Sequence, residues 1–300
     1  PRLVRHGRAR HGRSGAEVSA AGASLLDVTR AYGLDFRFPA SDTVVGANLR
    51  TFGEFSRVEL DILLHLAPGT SGVMVDAGAN IGSLALPFAR ARPDWKVVAY
   101  EAQRWICHIL AANAVANDLL NVEPIHAALG PEESLTDFPM AGLESGVNFG
   151  GLGFGARSPS HERVRVTRLD DMSPDVRDAV KVVKMDLQGF EPEVLRGAGD
   201  LLTRIRPAWV AEADRNQQDV ARRTLRIFFE AGYLVHWLFV PFATRKAVRN
   251  AGQATLTGDF NIIATPREGL VPPDIPPVEG PDAPFPTDIS DLPYLRRYGF

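Results

Sequence analysis

Four carboxylates close four short apolar runs of this chain. Asp76 ends VMVD, Glu101 ends VVAYE, Asp186 ends KVVKMD and Glu212 ends AWVAE. Runs of this length and composition suit strands buried on both faces. In a parallel sheet their C-terminal ends share one edge, and ligands of open α/β sheets bind there. Any one of these acids alone would read as a solvated strand end or a cap, because Asp and Glu prefer exposure. Four on one edge describe a site whose acids can hold hydroxyl groups or remove a proton.

The stretch 73–82, VMVDAGANIG, adds a glycine turn between strand and helix at Gly78 and Gly82. Such a turn presents unpaired N–H groups and allows close backbone approach. A dinucleotide fingerprint, G-x-G-x-x-G, would need glycines at 80 and 83. Those positions hold Asn80 and Ser83, so the turn is a poor pyrophosphate cradle. Glu101 falls about 20 residues further on, where an acidic residue accepts the hydroxyls of a ribose. Adenosine without a pyrophosphate fits both features, and S-adenosyl-L-methionine is the obvious ligand of that kind.

The elements that must position these residues follow in order. Residues 54–66 place Phe55, Val58, Leu60, Ile62, Leu63, Leu64 and Leu66 on a wide apolar helix face, stopped by Pro68 and Gly69. A strand at 73–77 is followed by a helix at 81–92, a strand at 97–101, a helix at 105–116 and a strand at 121–129. This β-α-β-α-β order predicts a doubly wound α/β sheet, mostly parallel, with right-handed crossovers. Strands at 163–169, 181–186 and 208–213 and helices at 190–202 and 217–231 continue it, and 233–240 with 259–265 form a closing antiparallel pair. The glycine-rich, Lys- and Arg-free stretch 141–155 reads as a lid or an insertion. Residues 1–50 read as a basic arm, Arg2 to Arg13, and a cap region with a helical patch at Ala23, Leu25, Leu26 and Val28. Residues 51–265 form the main domain. Residues 266–300 are rich in Pro and are expected to lie extended and mostly outside the core.

Composition narrows the classes. The chain of 300 residues is 45% hydrophobic and 23% charged, with a net charge of -3. That balance argues against a nucleic-acid-coating protein. No apolar run approaches the ~18 residues of a membrane span, so no membrane is expected and the cytoplasm is the default compartment. Cys107 is the only cysteine, which excludes an intramolecular disulfide and a cysteine zinc cluster. His65, His108, His126 and His236 have no partner at ligand spacing, so no metal is expected.

The chain resembles the FkbM family of S-adenosylmethionine-dependent methyltransferases. The matching pieces are VDAGANIGSLAL at 75–86, VVAYEAQ at 97–103, AANAVANDLLNV at 111–122, VTRLDDM at 166–172, VVKMDLQGFEPEVLRGA at 182–198, IRPAWVAEADR at 205–215 and AGYLVHW at 231–237, with Asn261 near the end. The resemblance covers residues 51–265. It implies a Rossmann-like methyltransferase sheet of seven strands with the last antiparallel. It also implies that Asp76, Gly78, Asn80 and Gly82 hold the methionine part of the cofactor, Glu101 the ribose, and Ala127 and Ala128 the adenine. Two positions depart from the family pattern: Ala102 stands where Pro is usual, and Gln188 where Glu is usual.

A sulfonium methyl is already activated, so the protein mainly aligns a nucleophile with it. A hydroxyl acceptor also needs a base. Asp186 is the first candidate, with Glu191 and Glu212 next. The function expected is O-methylation of a small molecule or glycan, with no nucleic acid as partner. A nicotinamide-dependent oxidoreductase and a non-catalytic methyltransferase-like binding protein are the competing readings.

Overall fold

The computed structural model describes residues 24–266 and 271–300. The basic arm and Ala23 lie outside the described residues. The strands are β1 (Leu26–Ala31), β2 (Leu34–Pro39), β3 (Gly72–Ala77), β4 (Trp95–Glu101), β5 (Val122–His126), β6 (Ala128–Leu129), β7 (Ser134–Met140), β8 (Ser160–Thr167), β9 (Val180–Met185), β10 (Ala208–Glu212), β11 (Leu234–Pro241) and β12 (Gly258–Thr265). The helices are α1 (Val45–Phe52), α2 (Arg57–His65), α3 (Ala85–Ala91), α4 (Arg104–Ala116), α5 (Pro174–Arg177), α6 (Glu191–Arg196) and α7 (Gln218–Glu230).

Seven strands form the main sheet in the order β11-β12-β10-β9-β3-β4-β5. β12 runs antiparallel to both of its neighbours, while β10-β9, β9-β3, β3-β4 and β4-β5 are parallel. The reversal of strand order between β3 and β9 opens the crevice at which such sheets bind ligands. The inner strands are mostly apolar because both faces are covered. Met74, Val97, Ala99, Val182 and Val210 pack into one core with α2, α3 and α4. Val73, Val75, Val98, Val183 and Trp209 pack into the other with α6 and α7.

Several expectations are corrected. Leu26 and Val28 are not helical but belong to a β1-β2 hairpin turning at Tyr32 and Gly33, both with positive φ. The alternation in LDFRFP carries this hairpin: Leu34, Phe36 and Phe38 are buried, and Asp35 and Arg37 are not. The strand expected at 121–129 splits at Ala127, where β5 leaves the main sheet and β6 joins a second sheet, β6-β8-β7. The helix expected at 81–92 starts later, at Ala85, because the turn extends through Gly82 at φ 87°. The helix expected at 190–202 stops after Arg196, where Gly197 packs so closely that a Cβ would lie 2.4 Å from the Gly130 carbonyl oxygen.

The C-terminal stretch is part of the core rather than outside it. Ile275, Val278, Leu292, Tyr294 and Leu295 are buried. The Tyr294 hydroxyl donates to the Phe239 carbonyl at 2.9 Å and accepts from its N–H at 2.6 Å. Trp237 N–H donates to Pro276, and Val278 N–H to Val235, so this segment covers the free edge of β11.

Candidate active site

The C-terminal ends of β3, β4, β9 and β10 open into one cavity, and all four strand-end acids line it: Asp76, Glu101, Asp186 and Glu212. The turn after β3 is built from backbone contacts to both neighbouring strands. Gly78 and Ala79 N–H both donate to the Tyr100 carbonyl, and Asp186 N–H donates to the Ala77 carbonyl at 3.1 Å. A Cβ on Gly78 would sit 2.0 Å from the Asp186 carbonyl oxygen. The glycine here serves the clasp between two strand ends, besides lining the cavity. Gly82 does not line it; its Cβ position is taken by Leu110 and Leu86 at 2.6 and 2.9 Å.

Glu101 is held by two amides. Asn80 N–H donates to one carboxylate oxygen at 2.9 Å and Gln103 N–H to the other at 2.8 Å. Burial pushes its pKa up to about 7, with both amide bonds opposing the rise. Asn80 adopts φ 50°, a left-handed conformation Asn tolerates better than most residues. Beyond Glu101 the wall turns apolar: Ala102, Ala127, Ala128, Leu129, Phe138 and Phe154. The glycine-rich stretch 141–155 lies against this cavity. Phe149 carbonyl accepts from Gln103 Nε2 at 2.8 Å, and Val147 carbonyl accepts from Thr43 N–H at 3.1 Å.

Two residues that sequence spacing did not single out organise the centre. Lys184 is the only buried Lys or Arg among the described residues. Its Nζ donates to the Gly78 carbonyl at 2.9 Å and lies 3.4 Å from Asp76 and 3.9 Å from Asp186. Burial disfavours its charge, but Asp76, Asp186 and Glu59 together hold its pKa above the usual lysine value. Burial raises Asp76 despite the Lys184 charge beside it. Glu59 projects from α2 into the same cavity and accepts from Asn261 Nδ2 at 3.1 Å. Burial pushes it up to about 8. A signal for both existed: Lys184 shares a strand face with Asp186 at i+2, and Glu59 falls on the apolar face of its helix, four residues after Phe55.

The three candidate bases are placed differently. Asp186 lines the cavity and its side chain is 36% exposed. Glu212 lines it too but is buried; burial, then the Asp186 and Glu191 charges, raise its pKa well above the usual carboxylate range. Glu191 is buried away from the cavity lining. Its carboxylate accepts from Leu187 N–H at 2.8 Å and Gly189 N–H at 3.3 Å, tying down the turn before α6.

The cavity fits S-adenosylmethionine chemically. Both carboxylate oxygens of Asp76 and Nδ2 of Asn80 are buried without a hydrogen-bond partner, and both residues line the cavity. They suit the ammonium and carboxylate of an amino acid. Each Glu101 oxygen keeps a lone pair for a hydroxyl, and the apolar wall suits a flat ring. Among the described residues no group of three His, Cys, Asp or Glu side chains is arranged to hold a metal ion, and no helix is long and apolar enough to cross a membrane.

Residues 76–235, more than half of the chain, match the model of the methyltransferase FkbM domain. A search of curated proteins gives no match. Among solved structures, the chain is similar to precorrin-6y C5,15-methyltransferase from Geobacter metallireducens, with 17% identity, a TM-score of 0.44, and 69% of this chain and 87% of the other covered. It is similar to TYW2 from M. jannaschii, solved with AdoMet, with 15% identity, a TM-score of 0.44 and coverage of 82% and 87%. It is also similar to the O-methyltransferase TomG from Streptomyces achromogenes, with 13% identity, a TM-score of 0.42 and coverage of 70% and 78%.

Proposed function

The chain belongs to the FkbM methyltransferase family, and we propose that it transfers the methyl group to a hydroxyl of a small molecule or glycan. It is an S-adenosylmethionine-dependent methyltransferase rather than a nicotinamide-dependent oxidoreductase. When bound, the cofactor supplies a methyl group on an electrophilic sulfonium. Asp76 and Asn80 hold its amino-acid end, with Gly78 fixing the turn that carries them. Glu101 holds the ribose hydroxyls, and Ala127 and Ala128 flank the adenine. Gly82 contributes by packing the turn onto α3 and α4.

The observation that carries the O-methylation reading is the placement of Asp186. Its backbone is clasped to the Gly78 turn, and its part-exposed carboxylate lines the same cavity. A hydroxyl must lose its proton as it attacks, and a base within reach accelerates that step by about 10²–10⁴-fold. Asp186 accepts this proton at Oδ2, the oxygen that Gln188 leaves free. Glu212, raised by burial, is the second carboxyl of the pair. Glu191 supports the turn that carries both Asp186 and Gln188 and does not meet the acceptor.

Methyl-labelled cofactor incubated with the enzyme and fractionated cell extract tests this. The label is expected in a methyl ether. Label recovered on nitrogen or carbon overturns the reading.

A further inference from the structure

Residue 188 links the two carboxyl groups on the acceptor side of the cavity. Gln188 Nε2 lies 2.8 Å from Asp186 Oδ1 and 3.4 Å from each oxygen of Glu212. Its own N–H donates to Glu212 Oε2 at 3.2 Å. The backbone is held in a left-handed conformation at φ 55° to bring both donors to these acceptors. That conformation is unfavourable for a residue other than Gly, Asn or Asp, so the surrounding structure must impose it. Gly153 of the glycine-rich stretch packs on the other side, where a Cβ would lie 2.8 Å from Gln188 Cβ. Gln188 is thus gripped between the stretch that covers the cavity and the acids that line it.

We propose that Gln188 is a positioning residue, which fixes the Asp186 carboxylate on the cavity wall through a donor-only bridge to Glu212. This rests on the reading of Asp186 as the base. An amide NH₂ can only donate, so it ties up Asp186 Oδ1 and leaves Oδ2 as the oxygen that meets the acceptor. The groups that face Asp186 from every packed element are acidic except for Lys184. They are Glu59 from α2, Asp76 from β3, Glu191 at the start of α6, Glu212 from β10 and Asp259 from β12. Against that field stand the Gln188 hydrogen bond to Oδ1 at 2.8 Å and the Lys184 charge, 3.9 Å from Oδ2.

Two variants separate donation from mere packing. Gln188→Glu keeps the shape and turns the donor into a third acid. Gln188→Met keeps the length and removes the donor. Each is made with ¹³C-labelled aspartate carboxyls, and the Asp186 signal is identified by its loss in Asp186→Asn. The carboxyl is titrated by NMR, and S-adenosylhomocysteine affinity is measured by calorimetry on the same samples. The Asp186 midpoint is expected to rise by about one unit or more in Gln188→Glu and by less in Gln188→Met, with affinity changed by no more than about twofold. An unchanged midpoint in both variants, with affinity retained, overturns the proposal. If the midpoints shift as stated but Asp186→Asn transfers methyl groups normally, the positioning role stands and the base assignment fails.

Discussion

Lys184 Nζ lies 3.4 Å from the Asp76 carboxylate, with both side chains almost fully buried in the wall of one cavity. Burying two charges is costly, and removing one leaves the other stranded. Lys184→Met is therefore expected to destabilise the free protein by about 3–5 kcal/mol. Adding Asp76→Asn to it should recover part of that loss, because both charges are then gone. Urea unfolding of the two variants checks this; a single variant as stable as wild type would contradict it.

The buried acids predict an unusual pH dependence. Burial lifts Glu59 to about 8 and Glu101 to about 7, against about 4.3 in an unfolded chain. Between those values the folded state binds more protons than the unfolded one, so stability falls as pH rises. The contribution is present in full below the unfolded value and is lost as pH passes through the folded ones. The free protein should melt several degrees lower at about pH 8.5 than at about 6.5, at roughly 2–4 °C per kcal/mol. Glu59→Gln should flatten the slope. Thermal melts without ligand would count against this if the midpoint rose with pH.

Much of this site was legible in the sequence, for a definite reason. Asp76, Glu101, Asp186 and Glu212 each end an apolar run, and a parallel sheet brings strand ends to one edge whatever the details of packing. Lys184 and Glu59 were not singled out because a charge inside an apolar run reads as pointing to solvent. Their burial depends on which carboxylates lie opposite, and that is a tertiary fact. Gly82 was expected at the ligand because it shares a turn with Gly78; only the positions of Leu86 and Leu110 show that it serves packing. The tail lost its periodicity in Pro, yet Tyr294 is fully buried through two hydrogen bonds to Phe239 that no local pattern encodes.

Gly78→Ala should disturb the site through the backbone. The new Cβ would meet the Asp186 carbonyl oxygen 2.0 Å away, and φ is +80°. Left-handed strain of about 1–2 kcal/mol adds to overpacking of about 1–3 kcal/mol. The variant is expected to lose about 2–5 kcal/mol of stability, read by chemical denaturation. A loss below about 1 kcal/mol would mean that the clasp between β3 and β9 is looser than described.

Asp186→Asn separates base from binding. It should lower methyl transfer to a hydroxyl acceptor by about 10²–10⁴-fold while leaving S-adenosylhomocysteine affinity nearly intact. Initial rates with labelled cofactor, alongside calorimetry, give both numbers. Full activity in this variant would move the base to Glu212 or remove the need for one.

S-adenosylmethionine is expected to bind in the cavity at the C-terminal ends of β3, β4 and β9, with Glu101 holding its ribose. The most direct measurement is calorimetric titration of the wild type and Glu101→Ala with S-adenosylhomocysteine, with NAD as the control ligand. Wild type is expected to bind S-adenosylhomocysteine one-to-one, Glu101→Ala to lose that binding, and neither to bind NAD. Undiminished binding in Glu101→Ala, or binding of NAD in place of S-adenosylhomocysteine, would contradict it.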